Sequence, residues 1–142
     1  MMTPTVGQTA RRTATFTAEH VEMYAQMTGD RNPLHFDAEF TAGTRFGRLL
    51  VQGGLTTGIL NALVATDLPG PGTVFLSTNF RFVGPVYIGD TITAEATILS
   101  VHATKPVTQL DILITRQDGE VVLEGEAWCY TARPTVEPAS RA

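Results

Sequence analysis

Residues 54–67 read GLTTGILNALVATD, a run whose only charge is its last residue. Leu55, Ile59, Leu60, Leu63 and Val64 recur at helical spacing with few polar interruptions, so the segment predicts a largely buried helix. Leu68-Pro69-Gly70-Pro71-Gly72 breaks it sharply. Downstream the period falls to two: Val74, Leu76, Thr78, Phe80 and Phe82 alternate with Phe75, Ser77, Asn79 and Arg81. Two longer strand patterns follow, Thr91 to Val101 and Val107 to Arg116. Gln117-Asp118-Gly119-Glu120 turns the chain back into a partner strand from Val121 to Thr131, so the last two segments form a hairpin.

Upstream, Thr17 followed by AEHVEMYAQM reads as an N-capped helix with Val21, Tyr24, Ala25 and Met27 on one face, ending near Thr28-Gly29. A strand around Thr13 to Phe16 can join the sheet. Residues 30–48 mix Asn-Pro, Gly and charges, with a helical turn near Asp37 to Ala42, and read as an ordered excursion of the kind that carries function. The sum is an α+β domain in which an antiparallel sheet wraps one buried helix. Residues 1–142 make one domain with its core at about 13–131 and a frayed tail expected at 132–142.

Ten Lys and Arg are scattered and outnumbered by fourteen acids, which argues against a nucleic-acid partner. The single cysteine, Cys129, rules out an internal disulfide and any multi-cysteine zinc site, and fits a reducing cytoplasm. MMTPTVGQTARRT has no apolar run behind its charges, and no stretch approaches a membrane span, so neither a signal peptide nor a membrane segment is expected. No glycine-rich phosphate loop, nucleophile elbow or metal-ligand spacing appears.

The chemistry concentrates in Gly29-Asp30-Arg31-Asn32-Pro33-Leu34-His35. Singly, Asp30 fits a turn or cap and His35 an ordinary half-buried histidine. Together, with Pro33 fixing its own φ and extending Asn32, they project from a rigid corner and form a candidate acid/base pair, either of which can be the base. Gln52-Gly53-Gly54 precedes the buried helix, where free N–H groups favour a developing negative charge; the two glycines equally suit a tight turn. Asn61, on that helix, faces a ligand or solvent. His20 and His102 read as solvated, and Cys129 as a core residue.

The string from Tyr24 to Asp37, continued through Thr44-Arg45-Phe46-Gly47-Arg48 to Val51-Gln52-Gly53, resembles the hydratase motif of the MaoC-like (R)-specific enoyl-CoA hydratases, whose fold is the hot dog. The likeness extends to Leu68-Pro69-Gly70, to Phe80 through Val86 and to Gly89-Asp90, and so spans about Phe16 to Tyr130. It implies that Asp30 and His35 hold a water against the β-carbon of a trans-2-enoyl-CoA and manage the proton delivered to the α-carbon. It also implies that the Gly53 N–H binds the thioester oxygen, with Asn32, Gln52, Gly54 and Asn61 as substrate-binding neighbours. No metal or cofactor is expected, the acyl group arriving on CoA or acyl-carrier protein, and a homodimer is implied. Two positions depart from the family's pattern: Gln52 stands where many relatives have His, and Asn61 where they have small residues such as Ser. The competing readings are a hot-dog acyl-CoA thioesterase and a non-catalytic acyl-binding partner subunit.

Overall fold

The computed structural model describes residues 3–134; the tail expectation, from 135 onward, lies outside the described residues. Five strands, β1 (Thr9–Thr15), β2 (Thr73–Phe82), β3 (Thr91–Val101), β4 (Val107–Arg116) and β5 (Val121–Thr131), form one antiparallel sheet in the order β1-β3-β4-β5-β2. The helices are α1 (Ala18–Thr28), α2 (Pro33–Phe36), α3 (Ala38–Ala42) and α4 (Gly53–Ala62).

The sheet has one dry face because its strands alternate. Ile92, Ala94, Ala96 and Ile98 of β3, Leu110, Ile112 and Ile114 of β4, and Leu123, Ala127 and Cys129 of β5 are buried in a single cluster with Ile59 and Leu60 of α4. The alanines of β3 lack bulk where the helix approaches, as interdigitating layers require. On the opposite face, at the β1–β3 end, Thr9, Thr13 and Thr15 pair through their hydroxyls with Thr97, Thr93 and Thr91.

The helix expected over 54–67 is α-helical only to Ala62. Leu63–Asp67 is a π-helical turn, in which the Leu68 N–H reaches the Leu63 carbonyl at 3.0 Å. The widened turn keeps Leu63 and Val64 in the core, and Asp67 is tied to Arg12 of β1 at 3.0 Å. Strand β1 begins four residues before the expected Thr13, since Thr9 to Arg12 pair with Thr97 to Ala94. Arg11 escapes to the outer face, where it pairs with Glu95, and Arg12, on the opposite side of the strand, is neutralised by Asp67, so charge did not exclude a strand.

Two facial assignments change. In β2 the register skips at Leu76, between Phe75 and Ser77, so the alternation that grouped Val74, Leu76, Thr78, Phe80 and Phe82 is broken. Phe75 and Phe80 come to share the inner face, their rings edge-on with centroids 6.3 Å apart. In α1, Val21 and Ala25 are buried but Met27 is 76% exposed. Six residues beyond Val21 is about 240° around the helix, which carries Met27 off the inner face. Among the described residues, no helix is long and apolar enough to cross a membrane.

Candidate active site

The acid/base corner is built by a relay of short-range hydrogen bonds that starts at the end of α1. Thr17 caps the helix through its hydroxyl and the reciprocal His20 ring, which gives His20 a capping role. Gly29, at φ 82°, closes the other end with its N–H on the Ala25 carbonyl at 2.8 Å, a left-handed turn that glycine makes without strain. Thr28 then donates its hydroxyl to the Tyr24 carbonyl at 2.7 Å and accepts the Asp30 N–H at 3.2 Å. Asp30 in turn accepts the Asn32 N–H on Oδ1, and Asn32 Oδ1 accepts the Leu34 N–H, capping α2 with Pro33 at its first position.

His35 follows two residues into that short helix and is 7% exposed. Its Nδ1 lies 2.7 Å from the carbonyl oxygen of Leu50, which can only accept, so Nδ1–H donates there and Nε2 is the nitrogen left to face outward. Nε2 is 3.8 Å from Asp30 Oδ2, the carboxylate oxygen left free by the turn. The two atoms converge without bonding directly, a separation at which both can touch one small molecule. The carboxylate is 40% exposed, so it reaches solvent while the imidazole does not.

Helix α4 delivers the other half. Gly53 and Gly54 begin it, and neither N–H has an acceptor among the described residues. Gly53, His35, Phe82, Val86, Tyr87 and Arg45 line a cavity of about 520 Å³. Phe82 leans on Gly53: a Cβ there would stand 3.3 Å from its ring. Gly54 is packed harder, since a Cβ would fall 1.7 Å from the Tyr24 hydroxyl and 2.5 Å from Cζ. Strand β2 and the α1 helix therefore grip the start of α4 from two sides. Tyr87 completes the wall, its hydroxyl donating to the Phe46 carbonyl and its N–H to buried Asp90.

The other candidates lie elsewhere. Gln52 is completely buried and its amide donates to the Val21 carbonyl at 2.9 Å, so its side chain ties α1 to α4 and points away from the cavity. Its Oε1 has no partner among the described residues. Asn61 is exposed and lines a second opening, about 530 Å³, with Thr57, Phe75 and Phe80; Phe82 borders both spaces. Asn32 spends its side-chain oxygen on the α2 cap. Cys129 is buried in the sheet, where burial pushes its thiol up to about 12. His102 sits in the β3–β4 loop, its Nδ1 accepting the Thr104 and Lys105 N–H groups. Among the described residues there is no group of three His, Cys, Asp or Glu placed to hold a metal.

A model of the MaoC like domain matches residues 2–116. The chain belongs to the MaoC-like family. It is 38% identical over 122 residues to the (R)-specific enoyl-CoA hydratase of Aeromonas caviae, covering 86% of this chain and 91% of that protein. It is 33% identical over 135 residues to the mitochondrial 3-hydroxyacyl-(acyl-carrier-protein) dehydratase FERN of Solanum lycopersicum, covering 94% of this chain and 81% of that one. The solved (R)-hydratase from A. caviae involved in PHA biosynthesis superposes with a TM-score of 0.87 at 35% identity, over 93% of this chain and all of that one. The fold is accordingly the hot dog. Within this MaoC-like frame, sequence reasoning missed Tyr24, Phe82 and Tyr87 as shapers of the site. Aromatic residues at ordinary spacings give no sign of which cavity they wall.

Proposed function

We propose that this chain adds water to trans-2-enoyl-CoA to give (R)-3-hydroxyacyl-CoA, and runs the dehydration in reverse, with Asp30 and His35 as the acid/base pair and the Gly53 N–H as the oxyanion donor. The observation that carries this is the convergence of Asp30 Oδ2 and His35 Nε2, 3.8 Å apart, next to a cavity that also presents a free N–H at a helix start. A conjugated thioester needs these parts: a held water, a group to take its proton, a proton for the α-carbon and a donor for the oxygen that gains enolate charge.

The steps follow from the groups in place. A water donates to Nε2 and to Oδ2 at once. Its oxygen bonds to the β-carbon while the pair takes one of its protons and the π electrons shift onto the thioester oxygen, opposite the Gly53 N–H. The enolate then collapses as the pair returns a proton to the α-carbon. One water is added and the pair ends as it began, so neither metal nor redox group enters the balance. Gln52 and Asn61 join this reading at a distance, the first holding α4 against α1 and the second bordering the neighbouring opening, where an acyl chain would extend past Phe82.

A homodimer fits the same reading, because β2 is an edge strand beside that second opening and exposes Val74, Leu76 and Phe82. A cytoplasmic setting suits a chain with one buried, unpaired thiol. The test follows crotonyl-CoA by its enoyl absorbance while free thiol is measured in parallel. Loss of absorbance without thiol supports hydration; thiol release without hydration would make the chain a thioesterase and overturn the proposal.

A further inference from the structure

Five arginines of this chain, Arg11, Arg12, Arg31, Arg81 and Arg116, are each paired with a carboxylate. Acids outnumber bases, so pairing is what a surface arginine here ordinarily finds. Arg45 and Arg48 have no such partner and no side-chain hydrogen bond among the described residues. Both are exposed, and both are tied to the cavity that holds His35 and Gly53, Arg45 as a lining residue and Arg48 through a ring that lines it. Arg45 lines the cavity, with its guanidinium 4.9 Å over Phe46. The Arg48 guanidinium lies 4.1 Å over Tyr87, another lining residue, and the Tyr87 hydroxyl bonds the Phe46 carbonyl, which locks the two aromatic platforms together. Stacking on a ring orients a guanidinium while leaving its N–H fork free, the arrangement that suits a phosphate better than a lysine would.

We propose that Arg45 and Arg48 bind the phosphate at the far end of the substrate's pantetheine arm. The inference rests on the hydratase reading above, since it is a thioester carbonyl at Gly53 that points the arm out past these two arginines. CoA and acyl-carrier protein share that phosphate, so the site as built accepts either carrier and discriminates against thioesters that lack it.

The test compares crotonyl-CoA, crotonyl-4′-phosphopantetheine and crotonyl-pantetheine on the wild type and on the Arg45→Gln/Arg48→Gln double variant. Calorimetry of CoA binding is run beside the kinetics. The wild-type preference in kcat/KM for either phosphate-bearing thioester over crotonyl-pantetheine should shrink about 10- to 100-fold in the double variant, mostly through KM, and CoA binding should weaken in parallel and fade with added salt. A preference retained for crotonyl-CoA but lost for the phosphopantetheine thioester would assign the two arginines to the single phosphate of a carrier-protein arm. An unchanged preference with unchanged CoA binding overturns the proposal and leaves hydration intact. Should no thioester be hydrated while the double variant still loses CoA binding, the hydratase reading fails and the phosphate site stands.

Discussion

Replacing Gly54 by alanine tests whether the fit between α1 and α4 sets the position of the oxyanion donor. The new Cβ would lie 1.7 Å from the Tyr24 hydroxyl oxygen, 2.5 Å from Cζ and 2.9 Å from Cε2. Ordinary contact is about 3.5 Å, so a shortfall of about 1.8 Å must be absorbed. Two ring carbons are involved besides the oxygen, and turning the hydroxyl alone cannot relieve it; the Tyr24 ring or the first turn of α4 has to move. Overpacking of this kind costs about 1–3 kcal/mol, roughly 3–12 °C in Tm for a chain of this size. If α4 moves, the adjacent Gly53 N–H moves with it, and a misplacement of about 1 Å is worth up to ~100-fold in turnover. Thermal melts and crotonyl-CoA kinetics would be measured for Gly54→Ala, Tyr24→Ala and the double variant. Removing the ring makes room, so the double variant should be more stable than the sum of the single losses by at least about 1 kcal/mol. Simple additivity, or a Gly54→Ala enzyme with wild-type melting and turnover, would refute the argument.

Three other substitutions probe separate layers. Leu60→Ala removes a completely buried side chain from the centre of the helix–sheet cluster and should lower stability by about 2–5 kcal/mol in denaturant titrations. Asn32→Ala deletes the cap of α2 and should cost about 1 kcal/mol in melts, with a larger fall in kcat than in stability, because the same helix aims His35. Cys129 should resist maleimide in the native protein and react once unfolded. Its thiol, raised by burial from 9.0 to about 12, favours the fold below the unfolded value and loses that contribution as pH climbs from about 9 towards 12. Cys129→Ala should flatten that alkaline decline.

The fold was legible wherever burial imposed a period. Ile59, Leu60 and Leu63 announced a buried helix, and the Ile-rich strands announced the face that covers it. Periodicity is silent where the chain adds a residue, so the skip at Leu76 that swaps the facing of β2, and the π turn after Ala62, both had to be seen. Asp30 and His35 could be read because their spacing is local: Gly29, Asn32 and Pro33 between them fix the corner by short-range bonds. Gln52 could not. Flanked by Val51 and Gly53 it has the look of a loop residue, and only the tertiary approach of Val21 turns it inward. The contact of Tyr24 with Gly54 is hidden for the same reason, since it joins residues thirty apart. Arg45 and Arg48 stand out only when the carboxylate partners of Arg11, Arg12, Arg31, Arg81 and Arg116 have been located.

The acid/base claim is tested most directly by the kcat of Asp30→Asn on crotonyl-CoA, read by enoyl absorbance in a variant whose melt matches the wild type. The substitution keeps the side chain's shape and Oδ1, so the Asn32 N–H contact persists, while the charge facing His35 Nε2 at 3.8 Å is removed. The account predicts a fall of at least ~100-fold. Turnover within a few-fold of wild type in the folded variant would contradict it.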